Sequence, residues 1–262
     1  MITKDELVDR FGKGHLSYSS MKMALGDMKN FERYMLGLLK FESKALDFGT
    51  LYDMLLFEPE KAAKVYVVVH QDEVLERCSP KTRSSKAPPM TAEYKAKKQE
   101  LSDELEAKGK VLVTKTDMQV ANDMIDRLRS CGLVDSYLNG KYQVEFNEQV
   151  NGVPVKGFLD CLGSNFISDS KSTQSVKKFK YSVRDFNYDI QAYIYTKVFG
   201  IKDFYWVVQE KTEPYTPALV KCSDSTLFAG EMNFSTAAYR IRNFLDRPSD
   251  YDPSQEYMEF EV

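Results

Sequence analysis

Apolar residues recur at helical spacing through the first half of the chain. Met21, Ala24, Leu25 and Met28 lie three or four apart, which predicts one long helix after a cap at Ser17, Ser19 or Ser20. Ahead of it, Thr3 and Glu6 spell a capping box that opens a short first helix. A further helix is expected from about Leu46 to Leu56, stopping before Pro59, and Val65 to Val69 is a short β-branched run. Residues 79 to 90, rich in Ser, Pro and basic side chains, read as an exposed, flexible loop. A charged helix from Thr91 to Lys108 ends at Gly109. Val111 to Val113 then lead into an amphipathic helix carrying Met118, Ala121, Ile125 and Leu128.

From Tyr142 the period changes to that of strands. Tyr142 to Val150 and Val155 to Leu162 flank Asn151-Gly152, a strong hairpin turn signal. A turn at Gly163-Ser164-Asn165 leads into a third strand, Phe166 to Lys171. A helix follows from about Asp185 to Phe199, with Phe186, Ile190, Ile194 and Val198 as its apolar stripe and Gly200 at its end. Phe204 to Gln209 and Ala218 to Cys222 are two more strands. The last helix, capped by Ser223 or Ser225, runs towards Leu245. This order predicts a single α/β domain over residues 1–262. Its parts are a mainly helical segment (1–141), an α/β core (142–222) and a C-terminal helix and tail (223–262).

Composition narrows the function classes. The 262 residues carry a net charge of only -3, so bulk attraction to nucleic acid is not expected and any binding surface must be local. Cys78, Cys131, Cys161 and Cys222 form no CxxC pair, which argues against a zinc or iron–sulfur site and suits reduced thiols in the cytoplasm. Only His15 and His70 are available for histidine chemistry. No apolar run approaches the roughly 20 residues that span a bilayer, so no membrane association is expected.

Asp169-Ser170-Lys171 closes the third strand of the meander. Alternation points Asp169 and Lys171 to one face, and Asp160 lies one short turn earlier on the neighbouring strand. Two carboxylates and a lysine converging at a sheet edge match the needs of phosphodiester hydrolysis: oxygen ligands for Mg²⁺ and a cation beside the attacking water. A surface ion pair on a solvated hairpin would be spelled the same way. Asp27-Met28-Lys29 and Glu93-Tyr94-Lys95 repeat the spelling in helical context, where i and i+2 do not share a face. Glu145 and Glu148 precede the Asp160 strand as possible supporting carboxylates. Lys177, Lys178, Lys180 and Arg184 follow the third strand as a local basic cluster suited to phosphate contacts.

The surroundings strengthen the first reading. Residues 49–56 with Glu58-Pro59-Glu60, residues 109–114, Gly152 to Asp160, Ile167 to Thr173 and Tyr188 to Tyr195 together resemble the exonuclease VIII (RecE-type) branch of the PD-(D/E)xK nuclease superfamily. The resemblance runs through most of the chain, with the motifs in order. It implies a restriction-endonuclease-like core, a mixed central sheet flanked by helices. It also implies Asp160 and Asp169 as metal ligands with the Ser170 carbonyl, Lys171 beside the attacking water, and Gln191 and Tyr195 on a helix face that contacts substrate. Asp53 stands where many relatives place a histidine ligand. The cofactor implied is Mg²⁺, with Mn²⁺ as a substitute. The activity implied is 5′ to 3′ degradation of one strand from the ends of linear double-stranded DNA, in phage or prophage recombination. A single-strand annealing protein is the implied partner, and a ring of identical subunits the implied assembly. An endonuclease, a single-strand-specific nuclease and an inactive DNA-binding relative are the competing readings.

Overall fold

The computed structural model describes residues 1–39 and 44–247; the tail expected after residue 247 lies outside them. Contacts group the chain into two compact units, Met1–Glu42 with Leu128–Val262, and Ser43–Arg127. Among the described residues no helix is long and apolar enough to cross a membrane.

The second unit, Ser43–Arg127, is mostly helical around a two-stranded parallel sheet that pairs Tyr66–Val69 with Val111–Thr114. Its helix Lys44–Phe57 buries Leu51, Tyr52 and Leu56. The stretch expected to be a flexible loop instead holds a helical turn at Pro80–Arg83 and a 3₁₀ turn at Pro88–Met90. The reason is a contact outside the stretch. Glu93, in the helix Ala92–Glu106, accepts hydrogen bonds from the Ser79 N–H at 2.8 Å, the Ser79 hydroxyl at 2.7 Å and the Thr82 hydroxyl, and Thr82 is buried.

Those bonds, from Thr82 first and then Ser79, hold the Glu93 carboxyl well below its ordinary 4.5, at about 2. A carboxyl depressed on folding adds stability above its unfolded value and loses it as pH falls through the folded one. Glu93→Gln is therefore expected to lower the unfolding midpoint at neutral pH. The gap from the unchanged protein should close as pH drops from 4.5 towards about 2. A gap that stays constant over that window would remove the carboxylate from the account.

The first unit holds a five-stranded mixed sheet in sequential order: β1 (Lys141–Val150), β2 (Val153–Leu162), β3 (Ile167–Thr173), β4 (Phe204–Glu210) and β5 (Pro217–Lys221). β1 and β2 form the expected hairpin, and both Asn151 and Gly152 take the positive φ its turn demands. β3 and β4 pair in parallel, which requires a crossover; the other neighbours are antiparallel.

Six helices matter for this unit: α1 (Lys4–Phe11), α2 (Tyr18–Gly26), α3 (Met28–Met35), α4 (Phe179–Asp185), α5 (Tyr188–Phe199) and α6 (Asp224–Leu245). The Thr3–Glu6 capping box opens α1, Ser17 caps α2 and Ser223 caps α6. Two expected continuous helices are broken. The one after Ser17 divides at Asp27, whose extended backbone ends α2 while its carboxylate accepts from the Lys29 N–H at 2.8 Å to start α3. The one around residues 185–199 begins only at Tyr188, because Asn187 sits in the left-handed region at φ 55° and separates α4 from α5. Phe186 thereby leaves the apolar stripe and is 47% exposed.

One apolar core gathers α1–α3, α5, α6 and the sheet, with Phe31, Trp206, Phe204 and Phe234 among its largest buried side chains. α5 lies close against α6. A Cβ at Gly230 would collide with the Asp189 carbonyl and come 3.0 Å from the Tyr193 Cβ. Asn233 of α6 donates to the Asp189 carboxylate at 2.7 Å, fixing the first turn of α5.

Candidate active site

The antiparallel ladder between β2 and β3 is two pairs long, Leu162 with Ile167 and Cys161 with Ser168. The next residues outward are Asp160 and Asp169, which meet where main-chain pairing stops. The Ser170 N–H, lacking a strand partner on that side, donates instead to Asp160 Oδ2 at 2.9 Å. The two strands thus open into a notch with a carboxylate on each lip. Backbone groups freed by the splay are satisfied by a side chain rather than left bare.

Alternation puts Asp169 and Lys171 on one face, as expected, and the Lys171 ammonium bonds to Asp169 Oδ2 and to the Ser170 carbonyl at 3.2 Å. The other Asp169 oxygen accepts from Gln191 Nε2 at 2.7 Å. Gln191 Nε2 also reaches the Tyr195 hydroxyl at 3.2 Å, and that hydroxyl donates to the Phe158 carbonyl at 2.8 Å. Gln191 and Tyr195 therefore do share one face of α5, one turn apart. Tyr195 is a core residue as well: its ring is buried and packs edge-on against Phe146.

Burial is the largest influence on this cluster. It pushes the Asp169 carboxyl up, with Lys171 and Gln191 pulling the other way. Burial also favours neutral Lys171, but Asp169, Asp160 and the Tyr188 phenol outweigh it and hold the ammonium above the ordinary lysine range. Lys171 is thus a fixed positive charge beside two carboxylates.

The donors in the notch are oxygens: two carboxylates and the Ser170 carbonyl. Among the described residues no group of three or more His, Cys, Asp or Glu side chains gathers into a metal cage. An open set of few hard ligands fits Mg²⁺, which keeps several waters and binds through one or two carboxylates plus substrate phosphate. Gln191 Oε1 is buried with no hydrogen-bond partner, so the network is incomplete on that side of Asp169.

Glu145 pairs across the hairpin with Lys156 at 2.7 Å, and Glu148 is exposed; neither joins the carboxylates. Asp53 is half-buried in the second unit, where its charge and that of Asp47 add to burial in raising the Tyr66 phenol. A Cβ at Gly49, one turn before Asp53, would meet open space. Lys177 and Lys178 form an exposed 3₁₀ turn directly after β3. Lys180 and Arg184 are exposed on α4, and Arg184 meets Asp185 at 3.3 Å.

Sequence reasoning passed over Tyr188. The Lys171 ammonium lies 5.0 Å from the centre of its ring, which also stacks on Phe179 and tilts against Tyr18. A signal was present: 188, 191 and 195 are spaced to share one helix face.

A model of the family described as "PDDEXK-like domain of unknown function (DUF3799)" matches residues 17–247. A search of curated proteins found no match. Among solved structures, a candidate exonuclease of Eubacterium rectale at 17% identity has a TM-score of 0.60, with all of this chain and 96% of that one covered. At that identity the likeness speaks for the fold alone. The structure of SSO0001, at 16% identity and a TM-score of 0.32, covers 80% of this chain and 91% of its own; it carries no argument.

Proposed function

Because this chain belongs to the PDDEXK-like DUF3799 family, we propose that it is a metal-dependent DNA exonuclease acting on the ends of linear double-stranded DNA. The direction we propose is 5′ to 3′, leaving single strands for annealing-type recombination, in the manner of RecE-type phage enzymes. The observation that carries the reading is the notch itself. Asp160 and Asp169 are the next residues beyond the last β2–β3 pair; Asp160 accepts from the Ser170 N–H, and Lys171 and Gln191 bond to Asp169.

Asp160, Asp169 and the Ser170 carbonyl would hold Mg²⁺, or Mn²⁺ in its place. Bound there, the ion supplies charge stabilisation at the scissile phosphate and acidifies the attacking water. Lys171, kept protonated by its carboxylate neighbours, donates to that water or to a phosphate oxygen. Gln191 holds the orientation of Asp169, and Tyr195, anchored on the Phe158 carbonyl, holds Gln191. Lys177, Lys178 and Arg184 contact backbone phosphates next to the notch. A single-strand annealing protein would take the product, and a ring of subunits around the duplex would give processivity.

The test is digestion with Mg²⁺ of linear duplexes labelled separately at each 5′ and 3′ end, beside closed circular DNA. Stepwise loss of the 5′ label with the circle untouched is expected. Full activity in EDTA, or cutting of the circle, would contradict the reading.

Asp53 is kept as a further ligand in this proposal. Its replacement by alanine is expected to raise the Mg²⁺ concentration for half-maximal cleavage by about tenfold or more. An unchanged Mg²⁺ dependence and rate would leave Asp53 as a half-buried helix residue of the second unit.

A further inference from the structure

Phe186 is an exposed aromatic side chain within two ring contacts of Lys171. Its ring tilts against that of Tyr188 at 5.6 Å, and the Tyr188 ring in turn lies 5.0 Å from the Lys171 ammonium. Several features hold Phe186 in place. Its N–H bonds to the Ser182 carbonyl at 2.9 Å, and its own carbonyl accepts from the Tyr18 hydroxyl. Lys22 of α2 places its ammonium 5.1 Å from the ring centre, and burial lowers the pKa of that lysine. Yet nearly half of the residue, 47%, is open to solvent, as is half of Tyr181 on α4.

The part of an apolar ring left exposed costs solvation and adds no burial to the fold. The segment that leads to it is basic: Lys177, Lys178, Lys180 and Arg184 are all exposed on the 3₁₀ turn and α4, with Asp185 paired to Arg184. Lys22, which lies over the ring, and Asn187, the next residue in the chain, also line a cavity of about 570 Å³ together with Met23, Leu25 and Asp27. Fixed aromatic faces interleaved with cations are how proteins hold single-stranded nucleic acid, because every base offers a π-face and every nucleotide a phosphate.

We infer that Phe186, steadied by Lys22 and Tyr18, is a stacking platform for an unpaired nucleobase of the strand whose phosphate lies in the Asp160–Asp169 notch. This rests on the nuclease reading and adds a substrate preference to it. The nucleotide beside the cut leaves its base pair and stacks on Phe186, so ends that are frayed or mismatched are taken more readily than fully paired ones.

The experiment compares Phe186→Ala, Phe186→Leu and Phe186→Trp with the unchanged protein on linear duplexes with paired or mismatched ends. Wild-type cleavage is measured first; if there is none, the nuclease reading fails and not this one. Given cleavage, Phe186→Ala should raise KM by about tenfold, within the usual worth of one stacked base, with kcat changed about twofold or less. Phe186→Trp should restore the wild-type KM, whereas Phe186→Leu, apolar but without a π-face, should behave like alanine. Unfolding midpoints should hardly move, since the side chain is so exposed. A 2-aminopurine placed at the strand end should be quenched on binding to the unchanged protein and stay bright on Phe186→Ala. An unchanged KM for Phe186→Ala, or a leucine variant as good as wild type, would overturn the platform.

Discussion

Asp169→Asn is expected to cut the rate of duplex-end degradation by about 10³-fold or more while the protein still folds. The two carboxylates are the negative oxygens at the notch, and an amide at position 169 removes one of them. Charge stabilisation by a bound ion is worth several kcal/mol at a phosphoryl oxygen, and about 4 kcal/mol corresponds to a thousandfold in rate. Folding survives because the amide keeps an oxygen towards Gln191, and Lys171 retains the Ser170 carbonyl. Asp169→Ala is harsher: it leaves the Lys171 ammonium short of its main partner in a setting where breaking a buried pair costs about 3–5 kcal/mol. The measurement is single-turnover cleavage, with the unfolding midpoint as control. Near-normal cleavage by folded Asp169→Asn would end the assignment.

The second large effect is structural. Gly230→Ala should destabilise the first unit by about 2–3 kcal/mol, although alanine is the better helix former by about 1 kcal/mol. The obstacle decides the sign: the added methyl meets the Asp189 main chain, which cannot turn aside as a flexible side chain would. α5 and α6 must part, and α5 carries Gln191. The midpoint should fall by about 5–10 °C for a chain of this size, and cleavage should fall with it even at temperatures where the variant is folded. A stable, fully active alanine variant would mean the two helices pack less tightly than described.

The expected α/β core was legible because its signals are local. Asn151-Gly152 dictates a hairpin. Period-two alternation then puts Asp169 and Lys171 on one face, and the short turn at residues 163–165 brings Asp160 opposite. Membership of the PDDEXK-like family and the mixed sheet flanked by helices agree with the order of motifs. What stayed hidden depends on partners distant in sequence. Residues 79–90 are composed like a loop, yet Glu93 organises them from outside. Asp27 and Asn187 break helices that their apolar neighbours would continue, because each side chain or backbone has a local alternative to the helix. Glu145 had the right charge and the right strand, but Lys156 sits across the hairpin to take it.

The first unit is assembled from both ends of the described chain, and this fixes an order of events at the ribosome. The rings of Phe11 and Phe31 pack on Phe244, 213 residues after the nearer of the two. Ser43–Arg127 can close its own contacts while the rest is still being made. The opening helices cannot: Phe11 and Phe31 have no Phe244 to pack on until α6 has been made. Such long-range closure is slow and leaves sticky surface open in the meantime. A nascent chain stalled before Phe244 would hold a finished inner unit between unfinished flanks, and holdase chaperones would find their target in α1–α3.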